Sequence, residues 1–155
     1  TGAEARRFIK FAKFHPEGER ALGMYGVPDL LEACANANAN TLLGLIIETP
    51  EALENLDEIL IPGIDVVWLG HTDYSHLLGI AGQFDHPKIT EARNRVRTMC
   101  QTKGIAFCEW ALPPTPSKVK SLLESGIRWI AYGSDLWFLE SQARNGVDEI
   151  AAWRG

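Results

Sequence analysis

Two carboxylates occupy matching places in this chain. In "LIIETPEALENLDEI" (Leu45 to Ile59) an apolar run ends in Glu48, and Thr-Pro with a polar, helix-like segment follows at once. In "VVWLGHTDYS" (Val66 to Ser75) an apolar run again ends in a turn, and the turn carries Asp73. A bare charge at the tip of an apolar strand is costly unless something pairs with it. Carboxylates from adjacent parallel strands can share one hard divalent cation. Mg²⁺ in particular takes one or two protein carboxylates and leaves its other positions to water and substrate oxygens. The plainer alternative is that Glu48 caps the helix after it, its charge solvated at the rim. With 20 acidic residues in the chain, accidental pairs are common, and spacing leaves both readings open.

The other reactive side chains say less. His71, two residues before Asp73, suits a third ligand, a general acid or a hydrogen-bonding surface residue. Glu109 is a candidate acid or base, or a solvated rim carboxylate. Ser75 and Ser134 have no histidine placed to activate them, and no GxGxxG or Walker pattern occurs. "GMYG" (Gly23 to Gly26) is too weak to be a phosphate cradle. Cys34, Cys100 and Cys108 are odd in number, with neither metal-finger nor redox spacing, so they read as packing residues in a reducing cytosol.

The elements that must position these groups alternate. Thr1 to Phe14 has helical spacing (Ala5, Phe8, Ile9, Ala12), and a Gly-rich loop runs from His15 to Gly26. A helix is predicted from Pro28 to about Asn38, with "ANANAN" as its frayed end. Leu42 to Ile47 is nearly all apolar, as a strand buried on both faces should be. Thr49 and Pro50 then supply an N-cap and a first helical residue for a helix to about Leu60. Strands follow at Asp65 to Leu69, Ile105 to Glu109 and Trp129 to Tyr132. A loop follows the Asp73 turn, and helices are predicted over Pro87 to Lys103, after "PPTPS", and from "GSD" to about Trp153.

Four strand–helix alternations without a hairpin signal describe a parallel α/β sheet. It could close as a doubly wound sheet or form part of an eight-stranded barrel. Glu48, His71 to Asp73, Glu109 and Ser134-Asp135 all follow strand C-termini, where barrel active sites are built. A whole barrel needs about 250 residues; the expectation is therefore a single domain over 1–155, half of a (β/α)8 TIM barrel. Thr1 already stands inside a helical pattern, so a missing front end is to be considered.

Composition narrows the partners. The chain has 155 residues, 46% of them hydrophobic, and a net charge of −5. Acidic and basic residues are mixed, and no basic stripe points to nucleic acid. No run approaches the ~18 apolar residues of a membrane span, so a cytoplasmic protein without membrane contact is expected.

Taken together, "IIETPEALENLDEI…PGIDVVWLGHTDYSHLLG", "HPEGERALG", "HP" (His86-Pro87) and "IAYGSD" (Ile130 to Asp135) resemble the HpcH/HpaI aldolases, the class II pyruvate aldolases related to the citrate lyase β subunit. The resemblance runs over essentially the whole chain and implies that the chain is the C-terminal half of a (β/α)8 TIM barrel, about four β/α units without the early strands. It implies a carbon–carbon lyase that cleaves or forms 2-oxo-acid aldols through a metal-stabilised pyruvate enolate. Its partners would be a pyruvate-type 2-oxo acid and an aldehyde, and its cofactor Mg²⁺, or else Mn²⁺ or Co²⁺. The same resemblance places the metal on Glu48 and Asp73, and the substrate carboxylate around Gly70 to Asp73 with Thr72 nearest. It also implies a homo-oligomer. The family's catalytic Arg and His belong to early strands outside this chain, and Arg20 lies in a different loop. There are departures as well. Ile46 stands where the family often has Gln, His71-Thr72 replace Pro-Ala, and Tyr74 follows the aspartate. These put substrate identity in question more than metal binding. A citrate lyase β-like acyl-CoA lyase and an inactive half-barrel serving in binding or assembly are the alternatives.

Overall fold

The computed structural model describes residues 1–23 and 26–153. Met24 and Tyr25 of the "GMYG" stretch lie outside the described residues. The chain folds as α/β, with four strands ordered β1-β2-β3-β4 in one sheet. It divides into two compact units, 1–108 and 109–155.

The first unit opens with α1 (Gly2–Ala12) and α2 (Leu30–Asn40), then β1 (Gly44–Ile47), α3 (Pro50–Glu54), α4 (Leu56–Ile59), β2 (Val66–Leu69), α5 (His71–Leu77) and α6 (Pro87–Lys103). β3 (Ala106–Trp110) begins in this unit. β1 and β2 are parallel, with Gly44 opposite Val66 and Ile47 opposite Leu69, and β2 is parallel to β3 through Val66–Ala106 and Val67–Phe107. Parallel neighbours need a crossover between them; α6 fills that role after β2 and packs against it. Its predicted stripe is the packing face: Ile89, Ala92, Val96 and Cys100 are buried, and Met99 is half-buried. Ile47, Leu56, Leu60 and Val67 complete this core. Burial pushes the Cys100 thiol up to about 11, in keeping with a packing residue rather than a reactive one.

Three expectations change. The "ANANAN" segment is not a frayed end, because α2 continues through it to Asn40. Asn38 is buried there and grips Phe14 at both backbone groups: its Oδ1 accepts from the Phe14 N–H at 2.7 Å, and its Nδ2 donates to the Phe14 carbonyl at 2.9 Å. Lys13 adds bonds from Nζ to the carbonyls of Asn38 and Thr41. The predicted helix from Pro50 to Leu60 is broken at Asn55, whose φ of −97° and ψ of 21° leave the helical region. The segment after Gly70, expected to be a turn and loop, is the helix α5.

Asn38→Ala strands two buried backbone groups, each costing ~1–3 kcal/mol when left unpaired. We expect a loss of about 2–4 kcal/mol in urea unfolding, against almost none for Asn36→Ala on the exposed side of the same helix.

The second unit contains the end of β3, α7 (Pro116–Glu124), β4 (Trp129–Ala131) and α8 (Asp135–Ala152). The Ala111 N–H donates to the Ala131 carbonyl at 2.9 Å, joining the chain just after β3 to β4. Leu122 and Ile127 are its buried aliphatics, beside Ala111. Among the described residues no helix is long and apolar enough to cross a membrane.

Candidate metal site

Glu48 and Gly70 each follow immediately on a paired strand. The Gly70 N–H donates to the Ile47 carbonyl at 2.9 Å, extending the β1–β2 ladder by one step and fixing Glu48 beside Gly70. A methyl group on Gly70 would lie 2.7 Å from Glu48 Cβ, 2.7 Å from Ile46 Cγ2 and 3.1 Å from Glu48 Oε2. The Glu48 side chain therefore lies across the face of Gly70, in space that any other residue would fill. Gly70 has φ −76° and ψ 70°, so close approach, not backbone freedom, requires glycine here.

The helix-cap alternative for Glu48 meets a specific obstacle. Thr49 is the N-cap of α3, and its Oγ1 accepts from the Ala52 N–H at 3.0 Å. Among the described residues, none donates a hydrogen bond to the Glu48 or Asp73 carboxylate. Asp73 lies in the first turn of α5, three residues beyond Gly70, and is exposed together with Thr72. Strand pairing thus brings Glu48 against Gly70, and α5 starts Asp73 from that same glycine.

Two contacts that sequence reasoning missed hold this turn. Half-buried His71 sets its ring edge-on against Phe84, with 4.6 Å between ring centroids. Burial lowers its pKa below the ordinary histidine value; the Leu69 carbonyl opposes the shift and the positive charge of Arg93 adds to it. Fully buried Ser75 donates to the Thr72 carbonyl at 2.8 Å and accepts from the Gly82 N–H at 3.2 Å, tying α5 to the loop after it. The hydroxyl is committed to structure. A serine six residues past a strand end gives no signal of this in sequence.

Among the described residues there is no group of three or more His, Cys, Asp or Glu side chains placed to hold a metal ion. Glu48 and Asp73 would be a two-carboxylate set of hard oxygens, which suits Mg²⁺ rather than a closed protein cage. Glu48 also lines a cleft of about 450 Å³ with Ala5 and Phe8 of α1 and with Ile46. In the second unit Glu109 is half-buried on β3, Ser134 is the N-cap of α8 through its Oγ and the Trp137 N–H, and Asp135 begins that helix.

The profile of the HpcH/HpaI aldolase/citrate lyase family matches residues 1–141. The chain belongs to that family. It is 28% identical to a 5-keto-4-deoxy-D-glucarate aldolase of Citrobacter koseri, over 96% of this chain and 59% of that protein. It is 31% identical to a 2-dehydro-3,6-dideoxy-6-sulfogluconate aldolase of Pseudomonas putida, over 90% and 56%. The solved HpcH/HpaI aldolase from Desulfitobacterium hafniense superposes with a TM-score of 0.82 at 28% identity, covering 97% of this chain and 60% of that one. The chain thus spans about 59% of the length of such relatives.

Proposed function

We propose that these residues form about four β/α units of an eight-stranded barrel, and that the protein is a lyase of the class II pyruvate aldolase type. Its substrates would be a pyruvate-type 2-oxo acid and an aldehyde, joined or parted as the 2-oxo-acid aldol. The observation that carries the reading is the Glu48 carboxylate laid over Gly70 at the end of one parallel strand, where the neighbouring strand turns into the helix bearing Asp73.

Glu48 and Asp73 would hold a divalent cation, Mg²⁺ before Mn²⁺ or Co²⁺. Bound there, the cation would supply Lewis acidity toward the 2-oxo acid. Thr72 and Asp73, exposed at the start of α5, stand where the substrate carboxylate would arrive. Gly70 contributes space, since its own N–H is committed to Ile47. Ile46 offers an apolar surface beside Glu48 in place of a hydrogen-bonding side chain. Supporting the barrel, β1 is an edge strand. The carbonyls of Leu43, just before it, and of its Ile47 accept from the β2 side, so by strand alternation the backbone groups of Gly44 and Ile46 point outward, where a further strand could pair.

Calorimetric titration with Mn²⁺, with and without pyruvate, tests the reading. One saturable cation per chain is expected, displaced by Mg²⁺ and bound more tightly with pyruvate present. No cation binding, or binding indifferent to pyruvate, would overturn it. Pyruvate release from a 2-oxo-acid aldol is the activity readout for protein that also carries the Arg and His of early strands.

A further inference from the structure

Ile46 stands one step before Glu48 on the same face of the sheet. Side chains alternate along a strand, so Gly44, Ile46 and Glu48 share a face. The register, with Ile46 opposite Trp68, sets Trp68 and Gly70 of the neighbouring strand on that face too. The contacts agree. A methyl on Gly70 would lie 2.7 Å from Ile46 Cγ2 and 3.1 Å from Glu48 Oε2, so both side chains lean over one glycine. The six-membered ring of half-buried Trp68 covers Gly44 in the same way, its Cζ3 being 3.2 Å from where a methyl there would stand. The strip of β1 that leads up to the carboxylate is therefore apolar. Ile46, 46% exposed, is the part of it open to a ligand.

An isoleucine neither donates nor accepts a hydrogen bond. A hydroxyl or carboxylate pressed against it gives up water and gains no partner, which weakens binding by about 5–150-fold per group. An alkyl group in the same place gains by leaving water. We infer that Ile46 is the specificity-determining residue for the 2-oxo acid. It selects an acid whose third carbon carries hydrogen or alkyl over one whose third carbon carries a hydroxyl or carboxylate. The inference rests on the cation site proposed above and names the substrate class of that site. With the substrate carboxylate at Thr72 and Asp73 and the cation held also by Glu48, the third carbon is the end that turns toward Ile46. Trp68 backs that position by filling the space over Gly44, so no room for a shell of water is left beneath it.

Calorimetry on the Mn²⁺-loaded chain tests this through binding alone. The probes are 2-oxobutyrate and hydroxypyruvate, which match in size and differ by a methyl or a hydroxyl on the third carbon. The wild type should bind 2-oxobutyrate at least about 10-fold more tightly. Ile46→Val stays branched and apolar and should keep that preference. Ile46→Thr has the shape of the valine variant with a hydroxyl for a methyl, and should cut the preference to about twofold or less. Its Mn²⁺ affinity should equal that of the valine variant, since neither change touches a proposed ligand. Both replacements are β-branched and suit a strand, and far-UV circular dichroism checks the fold. The wild-type comparison needs no variant, so a misfolded threonine variant would not shelter the inference. Equal binding of the two acids by the wild type, or a preference that threonine leaves intact, would overturn the inference while the cation site stood. A chain that binds no Mn²⁺ would overturn both.

Discussion

Glu48→Gln and Asp73→Asn should each weaken divalent-cation binding by at least ~100-fold, because changes merely behind a metal ligand already cost ~10–100-fold. Both exchanges keep size and shape and remove one negative charge. Neither should lower stability by more than about 0.5 kcal/mol, the usual range for surface changes away from special features. No described residue donates to either carboxylate, and Thr49 caps α3 without Glu48. Affinity should therefore fall while the urea midpoint stays put, which separates loss of a ligand from loss of fold. The double variant adds a sharper criterion. If one ion is gripped by both groups, the two losses couple strongly, as contacting residues do; if each carboxylate binds its own ion, they add independently. Unchanged cation affinity in both single variants would remove the assignment and leave the α/β fold without its proposed chemistry.

The parts of this fold legible in the sequence are those written by local chemistry. Thr49-Pro50 and His86-Pro87 place a cap before a proline, and each starts a helix where expected, as do Thr115 and Ser134. These signals need no tertiary information, because a side-chain oxygen or ring nitrogen bonds an N–H two or three residues ahead. The α6 stripe was legible for a related reason: a helix covering a strand must be apolar at helical spacing along that face. The strands were placed to within one or two residues. Leu42, predicted as strand, is exposed, and the ladder begins at Gly44.

What escaped depends on contacts distant in sequence. Asn38 lies within an alternating Ala-Asn run that looks like fraying, and only the approach of Phe14, 24 residues earlier, gives its amide both partners. The break at Asn55 was hidden because the apolar spacing of Leu53, Leu56 and Leu60 continues across it. Gly70 was read as part of a substrate-binding turn. Its contact with Glu48 exists only once β1 and β2 pair in the observed register, and a one-residue slip would have turned Glu48 to the other face. The carboxylates could be picked out by position, whereas the cradle around one of them could not.

That cradle gives the second large effect, in Gly70→Ala. The added carbon would come within 2.7 Å of Glu48 Cβ and of Ile46 Cγ2. Neither neighbour is the free end of a flexible chain. Glu48 Cβ is fixed to the backbone, and Ile46 is branched and set in β1. Overpacking of this kind costs typically ~1–3 kcal/mol, and the easiest relief turns Glu48 away from Gly70. A cation that needs Glu48 in place must then reimpose the strain, which lowers its affinity by about 5–150-fold. Gly104→Ala supplies the control. Gly104 ends α6 at φ 70° with nothing near its missing side chain, so alanine there should cost about 1–2 kcal/mol for its left-handed backbone and leave the cation untouched. Two alanines of similar cost to folding should thus differ sharply in cation binding. If Gly70→Ala bound Mn²⁺ as the wild type does, Glu48 would be free to leave the glycine without consequence, and the contact between them would be packing rather than the support of a ligand.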